Sequence, residues 1–409
     1  MFLYELPANW HWSTLGNVAE IIMGQSQSGN DTTSDSSCTP LIGGANDMGE
    51  LFPKITRYTK NPTKLSKPND IIICVRATLG KPIFSDKEYC LGRGVAAIRL
   101  SSDSEKFFRY LFINFERYFY DNATGSTFLQ ISSEKLKKMP IPLPPLDEQK
   151  RSVAVIESLF EKLDAAKSIV QKILDGYELR RAAILHKAFT GELTKKWRKY
   201  FSITLDDWQQ KTLGEVCKKF VYGTSKKSKP VGKIIVIRMG NLQGGEIDWK
   251  NLAYSDDEED IEKYKLSAGD VLFNRTNSAE LVGKTSIYRG EYPAIYAGYL
   301  LKLDYEKNFL DGEYLNFILN SPEAKIYCDS VKSNAVNQSN INAKKISGFE
   351  IPLPPLDEQK EIVRVLASLL DKEQRTKEIA EKILSEIDLL KRTILARAFR
   401  GALGPVPSS

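Results

Sequence analysis

The sequence predicts a mixed α/β chain built as an internal repeat, two similar domains each running into a long helix. Three observations predict it: a ten-residue segment that occurs twice, an apolar seven-residue period after it, and strand-like apolar runs before it. IPLPPLDEQK stands at 141–150 and again at 351–360, an offset of 210, and chance does not give such a match in 409 residues. Without a gap, KILDGYELRRAAILHKAFTGEL from Lys172 then aligns with KILSEIDLLKRTILARAFRGAL from Lys382. Upstream the match is looser. Trp10, Leu15, Gly16 and Val18 correspond to Trp208, Leu213, Gly214 and Val216 at an offset of 198, and Gly80-Lys81 to Gly283-Lys284 at 203. Two similar scaffolds with different surfaces would diverge in this way.

The elements follow from local pattern. Strand-like runs are IIICV (71–75), GVAAIRL (94–100), KIIVIRM (233–239) and DVLFNR (270–275). Helix-like stretches at 105–120 and 312–328 come late in each domain. After each double proline, Leu-Asp-Glu-Gln puts acidic side chains in the first turn of a helix, where they complement unpaired N–H groups. Ile156, Leu163, Val170, Tyr177 and Ile184 recur every seven residues, with Leu159, Ala166 and Ile173 three residues after the first three. That is a coiled-coil seam. The first helix is expected over 147–189, ~65 Å at 1.5 Å per residue, with Gly176 bending it and Gly191 stopping it.

In the second helix the seam falls to Leu366, Ile383, Ile387, Leu390 and Ile394. It is weaker, because Glu373 replaces Leu163 and the charged run 371–382 reads as a solvated face. The expected division is a first domain at 1–146, its helix and linker at 147–200, a second domain at 201–356, and its helix and tail at 357–409.

Composition narrows the function. With 42% hydrophobic and 27% charged residues the chain is globular rather than disordered. No apolar run reaches the ~18 residues of a membrane span. The start, MFLYELPANWHW, lacks the features of a signal peptide, so a cytoplasmic chain without membrane contact is expected. Five scattered cysteines and two histidines, His11 and His186, argue against disulfide, zinc and His-based catalytic sites. Net charge is +6, divided as +2 over 1–140, +4 over 141–200, −1 over 201–350 and +1 over 351–409. Nucleic-acid contact would need local patches, with the acidic run 256–260 turned away.

No catalytic motif is complete. Leu281-Val282-Gly283-Lys284-Thr285 resembles the end of a P-loop, but its first glycine position is Ser278. The E-x-K of DEQK sits at a helix start with no acidic partner close upstream, and helix capping explains it better than a nuclease site. Neither a Gly-rich cofactor loop nor an Asn-Pro-Pro-aromatic motif of amino-methyltransferases is present, so no catalytic residue, metal or cofactor is expected.

The loops carry binding chemistry instead. In the first domain these are Gly43–Asn46, Arg76, Thr78, Lys81, Arg93 between Gly92 and Gly94, and Ser126, Thr127 and Gln130. In the second they are Arg238, Asn241, Arg275, Thr276, Asn277, Lys284, Asn337, Gln338 and Asn340. Arginine pairs bidentately with guanine, and Asn or Gln with adenine, whereas Lys81 and Lys284 suit phosphate. The plainer alternative for any one of them is a capped turn or a solvated loop.

The doubled IPLPPLDEQK with its long helix closing on A-F-x-G-x-L resembles the specificity subunit of type I restriction–modification systems. Leu6-Pro7-x-x-Trp10, the run Gly92–Ile98 and the run Gly269–Arg275 are similar to what such subunits carry. The resemblance spans nearly the whole chain. It implies two α/β target recognition domains, each reading one half of a split, asymmetric site on double-stranded DNA. It also implies two antiparallel helices that form a coiled coil, relate the halves by a pseudo-twofold and act as a ruler for the unread spacer. Two modification subunits, which bind S-adenosylmethionine and methylate adenine, would dock on the helices, and restriction subunits would join that core. The chain itself would be non-catalytic. The alternatives are a specificity subunit of a related restriction system outside type I, a methyltransferase or nuclease with its own site, and a coiled-coil scaffold that binds only protein.

Overall fold

The computed structural model describes residues 4–126, 128–335 and 338–403. The chain folds as two compact units, one of residues 1–171 with 381–409, the other of residues 172–380. The division cuts both long helices, so each unit holds the start of its own helix and the end of the other.

In the first unit a four-stranded antiparallel sheet runs Ala19–Met23, Val95–Leu100, Ile71–Arg76, Thr78–Phe84. Ile71 to Val75 are all buried, a run β-branched except at Cys74 and suited to a strand covered on both faces. The sheet packs on the helices Glu105–Asn114 and Glu116–Asp121 through Phe107, Phe108, Phe112 and Phe119. The expected single helix is interrupted at Phe115. A two-stranded ribbon then pairs His11–Thr14 with Pro140–Leu143, Ser13 opposite Ile141. The repeated IPL thus closes the domain back onto its first strand before Pro144-Pro145 releases the chain into helix Leu146–Asp175.

The second unit repeats the plan. Its sheet runs Cys217–Tyr222, Leu300–Tyr305, Asp270–Asn274, Thr285–Tyr288, and its ribbon pairs Gln209–Thr212 with Glu350–Leu353, Lys211 opposite Ile351. The helical stretch expected at 312–328 divides into Gly312–Leu319 and Pro322–Val331. Ser321 accepts from Ala324 N at 3.2 Å and Pro322 has no N–H to offer the preceding turn, so a new helix starts there.

Within each unit the two helix segments are antiparallel. In the first, Lys167 pairs with Asp388 at 3.0 Å and Lys391 with Asp164, while Ile156 shares a core with Leu395, Ala398 and Phe399. In the second, Arg180 pairs with Glu373 at 2.9 Å, Tyr177 OH donates to Gln374 at 2.9 Å, and Leu185 shares a core with Ile362, Leu366 and Leu370. The first long helix is broken where a bend was expected: Leu146–Asp175, Gly176, then Tyr177–Phe189. The second is continuous over Leu356–Ala398.

The seam is partly as expected. Ile156, Val170, Tyr177, Leu366 and Ile387 are buried, and Leu163, Ile184, Ile383 and Ile394 are half-buried. Ile173 and Leu390, however, are 36% and 50% exposed. Leu159 and Ala166, three residues on, are half-buried as expected, and the positions four residues on are turned inward as well: Phe160, Lys167, Leu174, Arg181 and Ala188 in the first helix, Lys391 and Ala398 in the second. Several of these are cations whose stems cover apolar surface, as where Lys391 Nζ lies 4.9 Å from the Phe160 ring centre.

Candidate nucleic-acid interface

In the first domain a parallel pair, Leu41 opposite Cys90 and Ile42 opposite Leu91, carries two loops out at one end. The loop after Ile42 turns through Ala45–Asp47. Buried Asp47 fixes it, accepting from Gly43 N at 2.6 Å, Gly44 N at 3.3 Å and Arg57 Nη2 at 2.9 Å. The loop after Leu91 is pressed onto it: a Cβ on Gly94 would stand 2.3 Å from Gly43 O. Only glycine permits that approach, and Arg93 between the two glycines is turned out to solvent.

Arg76 ends the central strand at a tight turn in which it stands opposite Thr78, with Ala77 at φ +60°. Thr124 and Gln130 exchange backbone hydrogen bonds, and Ala77 N donates to Leu129 O at 2.8 Å. These loops enclose a cavity of about 710 Å³. Gly43–Asn46, Arg76, Thr78, Arg93, Ser126 and Gln130 all line it, so the structure brings nine of the expected residues together. Lys81 is exposed but does not line the cavity, and Thr127 lies outside the described residues. Arg57 and Phe128 also line it, Phe128 with 72% of its surface exposed. Arg57 gave no sequence signal, because only the fold brings it to Asp47.

The second domain uses the same frame differently. Val236 stands opposite Ile295 and Ile237 opposite Tyr296, again parallel, and a turn Met239–Asn241 follows. Asn241, expected at a base edge, is buried: it accepts from Arg238 N at 3.0 Å and donates to Asp248 O at 2.8 Å and Lys250 O at 3.0 Å. It braces the turn as Asp47 does. Arg238 donates to Asn251 O. Arg275 donates from Nε to Gly298 O at 3.2 Å and stacks 4.9 Å from the centre of the Tyr222 ring.

Thr276 and Asn277 pair with Asn340 and Ser339 in a small sheet, where Asn340 Nδ2 donates to Thr276 Oγ1 at 2.8 Å. Asn277 accepts from Ser278 N at 2.8 Å and Gln338 is exposed; Asn337 lies outside the described residues. Lys284 donates to Gln243 at 2.9 Å, apart from this group, and lines a different cavity with Arg181 and Lys325. The acidic run is not turned away from the basic residues either. Asp256 pairs with Lys229, Asp257 with Lys226 and Glu258 with Lys233, so the lysine loop of this domain is neutralised from within. The hydrogen bonds from Lys226 and Lys229 hold the Asp257 and Asp256 carboxyls below the usual range.

Among the described residues no cluster of His, Cys, Asp and Glu is arranged to hold a metal ion. Among them, too, no helix is long and apolar enough to cross a membrane.

Residues 7–174 and 205–385 each match the family described as type I restriction modification DNA specificity domain. The StySPI type I restriction enzyme specificity subunit of Salmonella potsdam is 27% identical over 427 residues, covering 98% of this chain and 90% of that protein. The EcoKI specificity subunit of Escherichia coli is 25% identical over 423 residues, with the same coverage of 98% and 90%. A solved chain described under complex assembly and conformational transition of the type I R–M system superposes with a TM-score of 0.75 at 20% identity, covering 98% of this chain and all of that one. That last likeness is one of fold.

Proposed function

The chain belongs to the type I restriction–modification DNA specificity family, and from that premise we propose that it reads a bipartite, asymmetric site on double-stranded DNA, one half per recognition domain. The observation that carries this reading is the repeated frame with different loop chemistry. Both domains end a parallel strand pair in a braced turn; in the first, Arg76 and Arg93 line a cavity beside it, whereas the second carries a separate small sheet of amides and hydroxyls. One scaffold with two reading surfaces is what an asymmetric site requires.

The chain contributes no chemistry of its own in this reading. Two modification subunits carry S-adenosylmethionine and methylate adenine, and restriction subunits join that core, in the cytoplasm. The paired helix segments set the unread spacer and offer the docking surface. The recognition domains take 1–146 and 201–356, and the helical segments 147–200 and 357–409 connect them.

Mapping methylated adenines across a genome that expresses this chain with its modification subunit tests the reading. A split motif with two unlike halves is the expected result. A continuous or palindromic motif, or methylation unaffected by loss of this chain, overturns it.

A further inference from the structure

Cations of the two domains are in different states. Among the described residues Arg76 and Arg93 have neither a hydrogen-bond acceptor nor a carboxylate partner, although both line the same cavity. The one buried carboxylate in its wall, Asp47, is already engaged by two backbone N–H groups and by Arg57. Two unneutralised guanidinium groups therefore face a concave space of about 710 Å³. In the second domain the arginine at the corresponding strand end, Arg275, is folded onto Gly298 O and the Tyr222 ring, and Arg238 onto Asn251 O.

We infer that the first domain reads guanine, with Arg76 and Arg93 as the specificity-determining side chains in a site open for them before DNA arrives. This rests on the function proposed above. A free, planar guanidinium matches the O6 and N7 acceptors of guanine in two parallel hydrogen bonds. Phosphate offers the same kind of acceptors. The cavity favours a base edge, because Asn46, Ser126 and Gln130 line it beside the arginines and Phe128 presents an apolar face at its wall. Phosphate accepts from such side chains too, but it has no N–H group for the amide oxygens of Asn46 and Gln130 and no ring to lie against Phe128.

The experiment uses the full chain assembled with its modification subunits and duplexes carrying the mapped site. Each guanine of each half is replaced in turn by 7-deazaguanine, which lacks the N7 acceptor, and by inosine, which keeps N7 and O6. For the wild type, 7-deazaguanine at one or two positions of a single half-site should lower methylation roughly 10- to 100-fold, with inosine tolerated. Arg76→Lys and Arg93→Lys keep the charge and lose the fork. Each should lower methylation of the normal site by a similar factor, and 7-deazaguanine at its position should then cost nothing further.

A bipartite motif whose halves tolerate 7-deazaguanine throughout, or lysine variants with unchanged base preference, overturns the inference and leaves the bipartite reading standing. A motif that is not bipartite overturns both.

Discussion

Arg198, in the short helix Lys195–Phe201, donates from Nη1 to the carboxylate of Glu358 at 2.6 Å, with the two side chains 7% and 0% exposed. The same carboxylate accepts from Thr194 Oγ1 at 2.6 Å and Trp208 Nε1 at 2.9 Å, and Arg198 Nη2 donates to Gly191 O. One buried anion thus ties the end of the first helix, the linker and the start of the second helix. Its counterpart in the first repeat, Glu148, is partly exposed and among the described residues pairs with Arg151 one turn along. Identical decapeptides have acquired unequal roles.

Removing one partner of such a pair leaves a buried charge without its match. Arg198→Met should lower the unfolding free energy of the second unit by roughly 3–5 kcal/mol, whereas Arg198→Met with Glu358→Leu should recover much of the loss. Urea melts followed by Trp208 fluorescence check this. A double variant as unstable as the single one would show that the pair is not what holds the linker.

The lysine loop of the second domain gives a second expectation. With Asp256 and Asp257 changed to asparagine, Lys229 loses its partner and Lys226 keeps only the longer contacts to Glu259 at 3.8 Å and Asp260 at 3.7 Å, so both become more available to phosphate. Non-specific DNA binding of the assembled complex should tighten, and the slope of log K against log salt should steepen by up to ~0.9 for each new phosphate contact. A salt titration by fluorescence anisotropy measures it, and an unchanged slope would mean that these lysines do not face the duplex.

Cysteine reactivity tests the packing of both domains. Thiolate is the reactive form, and burial disfavours it. Burial pushes the thiols of Cys217 and Cys328 up to about 12 and that of Cys74 to about 11. At pH 8 these three remain neutral, and Cys90 is fully buried. Brief iodoacetamide treatment of the folded chain should therefore label half-buried Cys38 first, the rest following only on unfolding. Peptide mass spectrometry reads the order, and early labelling of Cys217 or Cys328 would contradict the described cores.

The repeat was legible because identical residues do identical local work. Ile141 and Ile351 pair with the first strand of their own domains, and Gln149 and Gln359 each donate to a proline carbonyl at the helix entry. These duties need only near neighbours or one strand partner. Asn241 read as a base contact because its amide suits adenine, and nothing local reveals that the carbonyls of Asp248 and Lys250 use it up. The pairing of 256–258 with Lys226, Lys229 and Lys233 was hidden for the same reason, since separations of more than twenty residues close only in the fold. Leu390 was misplaced because the Lys391 stem, invisible to an apolar pattern, holds the inner position beside it, and Ile173 because its neighbour Leu174 is equally apolar and takes the inner place.

Arg275 gives an expectation for the second half-site. Its guanidinium is held by Gly298 O and Tyr222, so it can meet DNA by trading a weak internal contact for a bidentate one. Arg275→Ala should weaken recognition of the second half-site by about 1–3 kcal/mol and leave base preference in the first unaltered. Methylation of single-base variants of the site decides it, and loss spread evenly over both halves would point to a general contact or to misfolding.

The helices give the last expectation. In the first unit residues 164–170 face residues 385–391, with Asp164 on Lys391 and Lys167 on Asp388. Deleting both segments removes one heptad from each helix together with both members of each ion pair, so the remaining residues stay in register. Seven residues of helix are ~10.5 Å, and base pairs rise ~3.4 Å each, so a ruler shortened in this way should prefer a spacer about three base pairs shorter. Removing 164–170 alone should instead break the pairing and lower the yield of assembled complex. Sequencing methylated adenines after the paired deletion measures the spacer directly. If it keeps its original length while methylation persists, the helices do not set the distance between the two half-sites.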